Sequence, residues 1–212
     1  MLPIIDYSLP VDLGSETPAW FAMPEATPLV DQLRRASLDE RVAAFAEIVT
    51  ELAVLAERAW HHRDLKPPNL YYFKGRFVVG DFGLIKRPED PSLTRERVPG
   101  PYEYMPNEAV MGEPIDPAAF DAFCLAKSMW VVLTDSNRPP QGQIRTDSQR
   151  SLALQFPTEQ HIVLLDEIVE SATAEDPSRR LKLAGIAEGL AQWIRLRGGQ
   201  DQTATVAESA GQ

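Results

Sequence analysis

Apolar positions in this chain recur every third or fourth residue over long stretches after residue 38, but come in short blocks before residue 28. The clearest periodic stretch holds Val42, Phe45, Ile48, Val49, Leu52 and Leu55 and ends near Arg58. It predicts a long amphipathic helix with one face toward a core. Ser37 followed by Glu40 has the spacing of a capping box, which marks the helix start. Ala118–Leu133 is apolar apart from Asp121, Lys127 and Ser128, so a second helix should be buried on most sides. Two further amphipathic helices are expected over 158–172 and 178–196, the latter opened by Asp176-Pro177 as cap and first-turn proline.

The short blocks read differently. Leu2–Ile5 and Trp20–Met23, separated by a polar stretch, predict two strands joined by a loop. Leu70–Phe73 and Arg76–Val79 flank Lys74-Gly75 and predict a small hairpin. Residues 84–117 are rich in proline and charge, as expected of a long surface loop. After Arg197 the residues are small and polar, so 197–212 is expected to be a flexible tail.

Composition narrows the function classes. At 212 residues, 44% hydrophobic and 25% charged, the chain can bury one proper core. Twenty-one Lys+Arg against 31 Asp+Glu leave a net charge of −10, which argues against a phosphate-tracking nucleic-acid binder. Cys124 is the single cysteine, so an intrachain disulfide or a cysteine-built zinc site is excluded and a reducing cytoplasm fits. Its place in an apolar helix reads as core filler. The N-terminal residues have no basic region and no long apolar run, so neither a signal peptide nor a membrane anchor is expected.

The chemistry concentrates in His62-Arg63-Asp64-Leu65-Lys66-Pro67-Pro68-Asn69, followed after the hairpin by Asp81-Phe82-Gly83. A hairpin folds back on itself, so Asn69 and Asp81 can face one another across its base. Carboxylate and amide oxygens suit Mg²⁺, a hard cation that keeps substrate phosphates as further ligands. Lys66 supplies a point charge for a transferring phosphoryl group, and Asp64 could accept a hydroxyl proton. His61-His62 has no third ligand nearby in sequence and is not read as a metal site.

These motifs resemble the eukaryotic-type (Hanks-type) serine/threonine protein kinase family. The pattern H-R-D-L-K-P-x-N is complete at 62–69 and the D-F-G triplet at 81–83. The resemblance implies Asp64 as catalytic base, Lys66 on the γ-phosphate, and Asn69 and Asp81 as magnesium ligands, with Phe82 and Gly83 completing the metal loop. Lysine two positions after the aspartate resembles the serine/threonine branch. It further implies that His62 packs in the interior and that Arg63 belongs to members whose loop is ordered by a phosphate, with Ser92 and Thr94 as candidate acceptors. Gly100–Glu108 lines up with the family's segment ending in a buried glutamate, which makes Glu108 the partner of Arg180. Asp121 then ties down the catalytic loop. Two departures matter: Pro101 stands where the family has threonine, and Pro106-Asn107 where it has alanine-proline.

Upstream, Trp20–Ala26 resembles the fifth strand and hinge that hold adenine. Met23 would be the gatekeeper, the backbone of Pro24, Glu25 and Ala26 would face the purine, and Tyr71 would lie beneath the ring. Met1–Leu9 resembles the strand before it. There is no G-x-G-x-x-G, and Lys66 is the first lysine of the chain. The resemblance thus implies an α+β protein-kinase-like fold truncated at its small lobe: strand remnant and hinge over 1–28, helical large lobe over 29–196. The expected function is ATP- and Mg²⁺-dependent phosphoryl transfer to protein hydroxyls, the acidic surface favouring basic substrates. The alternative is a catalytically dead kinase-derived module that binds a partner protein. Without an upper lobe, the cleft around Met23, Tyr71 and Phe82 is expected to expose apolar surface and favour self-association.

Overall fold

The computed structural model describes residues 1–8, 20–85, 87–88 and 102–209, with side chains through residue 198. Ser92, Thr94, Gly100 and Pro101 lie outside the described residues. Two small antiparallel sheets accompany a helical body. β1 (Asp6–Ser8) pairs with β2 (Trp20–Ala22), with Tyr7 opposite Phe21. β3 (Thr27–Pro28), β4 (Leu70–Phe73) and β5 (Arg76–Val79) form the second sheet, in that order. The hairpin turns at Lys74 and Gly75, both at positive φ, 48° and 81°. Such a turn matches the right-handed twist of its strands.

The first strand departs from expectation. The apolar run Leu2–Ile5 does not form it; the strand is Asp6–Ser8. Leu2 donates its N–H to the Val79 carbonyl at 2.8 Å and Ile5 to that of Ala22 at 2.9 Å. These residues therefore stitch the two sheets together instead of lying along one of them. The β3 pairing was not visible in the sequence, because two residues carry no periodicity.

The body follows from the helical periods. After a single turn, α1 (Leu29–Gln32), comes α2 (Leu38–Glu57). Its capping box is complete: Ser37 Oγ accepts from the Glu40 N–H, and the Glu40 carboxylate accepts from the Ser37 N–H. Val42, Phe45, Ile48, Val49 and Leu52 are buried along its inner face. α4 (Pro117–Thr134) is buried continuously from Ala119 to Leu133 and packs against α2, α6 (Ile162–Ala172) and α7 (Leu183–Ser209). By length and composition it could cross a bilayer, yet here its surroundings are protein. Asp116 caps its start by accepting the Ala118 N–H. Arg41 donates to the Val132 carbonyl at 2.7 Å, satisfying an orphan acceptor at its end.

Three other boundaries are corrected. The described part of 84–117 is not all loop: it contains a 3₁₀ turn, Tyr102–Tyr104, and α3 (Asn107–Val110). Tyr104 and Met105 are buried, which anchors a stretch whose prolines suggested an exposed one. α6 starts at Ile162 rather than 158, since His161 at φ 61° interrupts the helical backbone just before it. Asp176-Pro177 opens only a 3₁₀ turn, and α7 begins at Leu183 because Arg180 first turns inward to Glu108. A one-turn helix, α5 (Leu152–Gln155), was not anticipated. α7 runs on to Ser209, past the polarity change at 197.

Candidate active site

Paired prolines end any helix before Asn69, and the segment between α2 and β4 instead runs as an irregular loop closed by a 3₁₀ turn, Pro67–Asn69. Its backbone passes through the left-handed region at Arg63, φ 66°. A non-glycine residue there costs energy and must be held by its surroundings. Asp121, 1% exposed in α4, does this by accepting the N–H groups of His62 and Arg63, both at 2.7 Å. Burial pushes the Asp121 carboxyl up to about 7, against the pull of those two backbone donors and the Arg63 charge.

His62 braces the other side. Its Nε2–H donates to the Gly80 carbonyl at 2.9 Å, and its Nδ1 accepts the Asp64 N–H at 3.3 Å. Acceptance at Nδ1 requires the neutral ring, and burial lowers its pKa accordingly. The ring also packs against Phe82, with centroids 4.8 Å apart. His62, 2% exposed, thus links the Asp64 loop to the Asp81 loop through Gly80 and Phe82.

Asp64 sits at the centre. Lys66 Nζ lies 2.9 and 2.8 Å from its two carboxylate oxygens. Asn69 Nδ2 donates to the Asp64 carbonyl at 2.7 Å and to its carboxylate at 2.9 Å. With its N–H groups spent on Asp64, Asn69 offers Oδ1 to a cation. The Asn69 carbonyl accepts the Gly80 N–H at 2.9 Å, which brings the base of the hairpin next to Asp81. Asp81 is itself at φ 58°. A side chain at Gly83 would meet its Oδ1 at 3.3 Å, so glycine leaves that carboxylate room. Asn69 and Asp81 offer hard oxygen donors of the kind that suits Mg²⁺, while the Asp64 carboxylate accepts from Lys66 and Asn69. Among the described residues, no three His, Cys, Asp or Glu side chains cluster as a self-sufficient metal cage. A cation here would depend on phosphate oxygens.

Tyr71 faces Gly80, where an added Cβ would lie 2.8 Å from its ring. Met23, Pro24, Glu25 and Ala26 form the link between β2 and β3, with Glu25 exposed and the others half-buried. Leu2–Ile5 joins this link to the hairpin through the two hydrogen bonds already described. Met23, Tyr71 and Phe82 are each half-buried, so part of each side chain stays exposed. In the adjoining N-terminal ribbon, Ile4, Ile5, Tyr7, Trp20 and Phe21 are exposed apolar side chains.

Glu108 and Arg180 meet as expected. The guanidinium and carboxylate bond twice, one contact being Nη2–Oε2 at 3.0 Å, with side chains only 1% and 10% exposed for Arg180 and Glu108. Arg180 also donates to the Ala174 carbonyl at 2.7 Å. Residues missed in the sequence include Ser128, whose Oγ lies 3.5 Å from the Leu65 carbonyl and bonds the Cys124 carbonyl at 2.8 Å. It stands seven residues from Asp121, the spacing that puts both on one helix face. Burial raises the Cys124 thiol well above its ordinary range, which suits core filler.

Comparison with known proteins agrees with this geometry. The family model described as protein kinase domain matches residues 21–189. The serine/threonine-protein kinase STY17 of Arabidopsis thaliana is 34% identical over 141 residues, 63% of this chain and 24% of that protein. Aurora kinase B of Xenopus tropicalis is 30% identical over 166 residues, 74% of this chain and 43% of that protein. The serine/threonine-protein kinase sgk-1 of Caenorhabditis elegans is 36% identical over 89 residues, 42% of this chain and 19% of that protein. The chain therefore spans less than half the length of these relatives. With the H-R-D and D-F-G loops braced against one another through His62 and the match running from the hinge into the last helix, this chain belongs to the protein kinase family.

Proposed function

We propose that this chain acts in ATP- and Mg²⁺-dependent phosphoryl transfer to a serine or threonine hydroxyl of a protein. The observation that carries this is Asp64, held by Asn69 and paired with Lys66 in a pocket braced by Asp121. Asp64 accepts the proton of the attacking hydroxyl as the new oxygen–phosphorus bond forms and the bond to the nucleoside diphosphate breaks. Lys66 shifts its charge from Asp64 toward the transferring group, where negative charge is spread over the equatorial oxygens. Asn69 keeps Asp64 oriented and, with Asp81, would hold the magnesium. When bound, that ion neutralises charge on the phosphates. Met23–Ala26 and Tyr71 would hold the adenine.

A second reading is a kinase-derived binding module without turnover. The feature favouring it is that, within these 212 residues, no lysine precedes Lys66. Nucleotide dependence separates the two. Thermal unfolding should be measured with and without Mg·ATP, beside Asp81→Ala. At 100 times its Kd a ligand stabilises by about 2.7 kcal/mol, a shift of a few degrees at this size. A magnesium-dependent shift that the variant loses, followed by phosphotransfer that Asp64→Asn reduces by about 10²–10⁴-fold, is the expected result. Absence of any shift overturns the transfer reading in favour of the binding module.

A further inference from the structure

Two polar deficits meet behind the Asp64 loop. Asp121 accepts the N–H groups of His62 and Arg63. Among the described residues, no lysine or arginine pairs with its buried carboxylate. His61, the residue before the loop, is 9% exposed, and its Nδ1 is buried without a hydrogen-bond partner. That nitrogen lies 4.0 Å from Asp121 Oδ2. A buried nitrogen left unpaired keeps its full desolvation cost. The neighbouring His62 has no such deficit, since both its nitrogens are engaged.

One proton removes both deficits. Burial pushes the Asp121 carboxyl up to about 7 and lowers the His61 pKa, so a proton taken up near neutrality goes to the carboxyl and leaves the ring neutral. A protonated carboxyl becomes a donor as well as an acceptor. Its two oxygens already face two backbone donors, so the new hydrogen needs an acceptor elsewhere. His61 Nδ1 is an unused acceptor on the Oδ2 side, and closing the gap to hydrogen-bond length takes roughly 1 Å. The other titratable groups around the pair are Arg63 from the loop and Asp116 and Cys124 from α4. Arg63 pulls the Asp121 value down, Asp116 pulls the His61 value up, and the buried Cys124 stays a neutral thiol.

Resting on the reading of Asp64 as base, we propose that His61 is a positioning residue acting through Asp121: its Nδ1 accepts the hydrogen of the protonated carboxyl, so the loop that carries Asp64 stays gripped in both protonation states. The proton comes from solvent, and no bond between heavier atoms is made or broken. Without that acceptor the hydroxyl hydrogen is turned against the His62 and Arg63 N–H groups. Arg63, at φ 66°, then loses what holds it in the left-handed region.

The test follows amide exchange of His62 and Arg63 in the full chain at about pH 6 and about pH 8, corrected for intrinsic rates, and reads the ratio of the two protections. In wild type the ratio should lie within about threefold of one. His61→Phe keeps a ring without an acceptor, and protection should fall at least tenfold at the lower pH only. His61→Asn places an amide oxygen near the lost Nδ1 and should return the ratio to the wild-type range. A packing defect alone lowers protection equally at both pH values. Equal loss at both therefore overturns the proposal, as does no loss at either, or an Asn variant that behaves like Phe. Should His61→Phe fail to fold, the wild type decides by NMR: the nitrogen-15 signal of His61 Nδ1 should move with the same midpoint as the carbon-13 signal of the Asp121 carboxyl. An Nδ1 signal that stays still while the carboxyl titrates overturns the proposal, and so does a carboxyl that does not titrate in this range. Exchange needs no turnover, so failure of the transfer reading is seen separately, as a chain with this pattern that transfers no phosphate.

Discussion

The Asp64 loop and the ribbon of β1 and β2 both carry residues expected at one nucleotide site, but they are held by different physics. Asp64 is 9% exposed; its carboxylate accepts from Lys66 and Asn69 and its N–H donates to the His62 ring, with Asp121 gripping the backbone behind it. In the ribbon, Tyr7, Trp20 and Phe21 are 64%, 47% and 48% exposed, and two strands alone are marginal in water. The first region is over-determined by polar contacts made in a dry interior. The second is held by three residue pairs and by the stitches at Leu2 and Ile5. A family pattern in the sequence therefore says nothing about how firmly each of its parts is held.

The sharpest way to break the anchored side is to remove one partner of a buried ion pair. Glu108→Ala leaves the Arg180 guanidinium, on a side chain 1% exposed, without its carboxylate. Loss of about 3–5 kcal/mol in urea unfolding is expected. A loss within experimental error of zero would mean that water replaces the pair and that this region is far less dry than its burial implies.

His62 gives a smaller, pH-dependent effect. Burial holds its folded-state pKa below the ordinary 6.5, so between those two values the unfolded chain binds the extra proton. Stability from this group is full above pH 6.5 and declines as pH falls toward the folded value. Asp121, raised by burial, pulls the other way between its ordinary and folded values, so the comparison must be a difference. Wild type minus His62→Gln should therefore show stability falling below pH 6.5. A flat difference curve would mean that the folded protein protonates the ring as readily as the unfolded chain does.

The smallest effect belongs to the ribbon. Trp20→Ser removes an exposed side chain and should change stability by no more than about 0.5 kcal/mol. A loss of 2 kcal/mol or more, against that expectation for surface positions, would show that the ribbon is buried in solution by another surface.

Much of the helical body was legible in the sequence because long periodic segments report the face that meets the core. The capping box at Ser37, the stripe from Val42 to Leu52 and the unbroken apolar run of α4 each predict their own element from local residues. The candidate site was legible too, since Asp64, Lys66, Asn69 and Asp81 lie within one short stretch of chain around a hairpin. The misread parts are those where distant residues intervene. Leu2–Ile5 looked like a strand but became the bridge between two sheets, and Asp176-Pro177 looked like a helix start until Arg180 was drawn inward by Glu108.

By itself the sequence determined the family and much of the helical core, and gathered the candidate site residues into one short stretch, because those depend on residue type and short-range spacing. Tertiary structure alone decided that Lys127 reaches the 140–142 carbonyls, that Ser128 backs Leu65, and that Met23, Tyr71 and Phe82 are half-buried. Each of these depends on elements far apart in the chain being brought within a few ångströms, where a buried charge or an orphan carbonyl must find its partner or pay the desolvation cost.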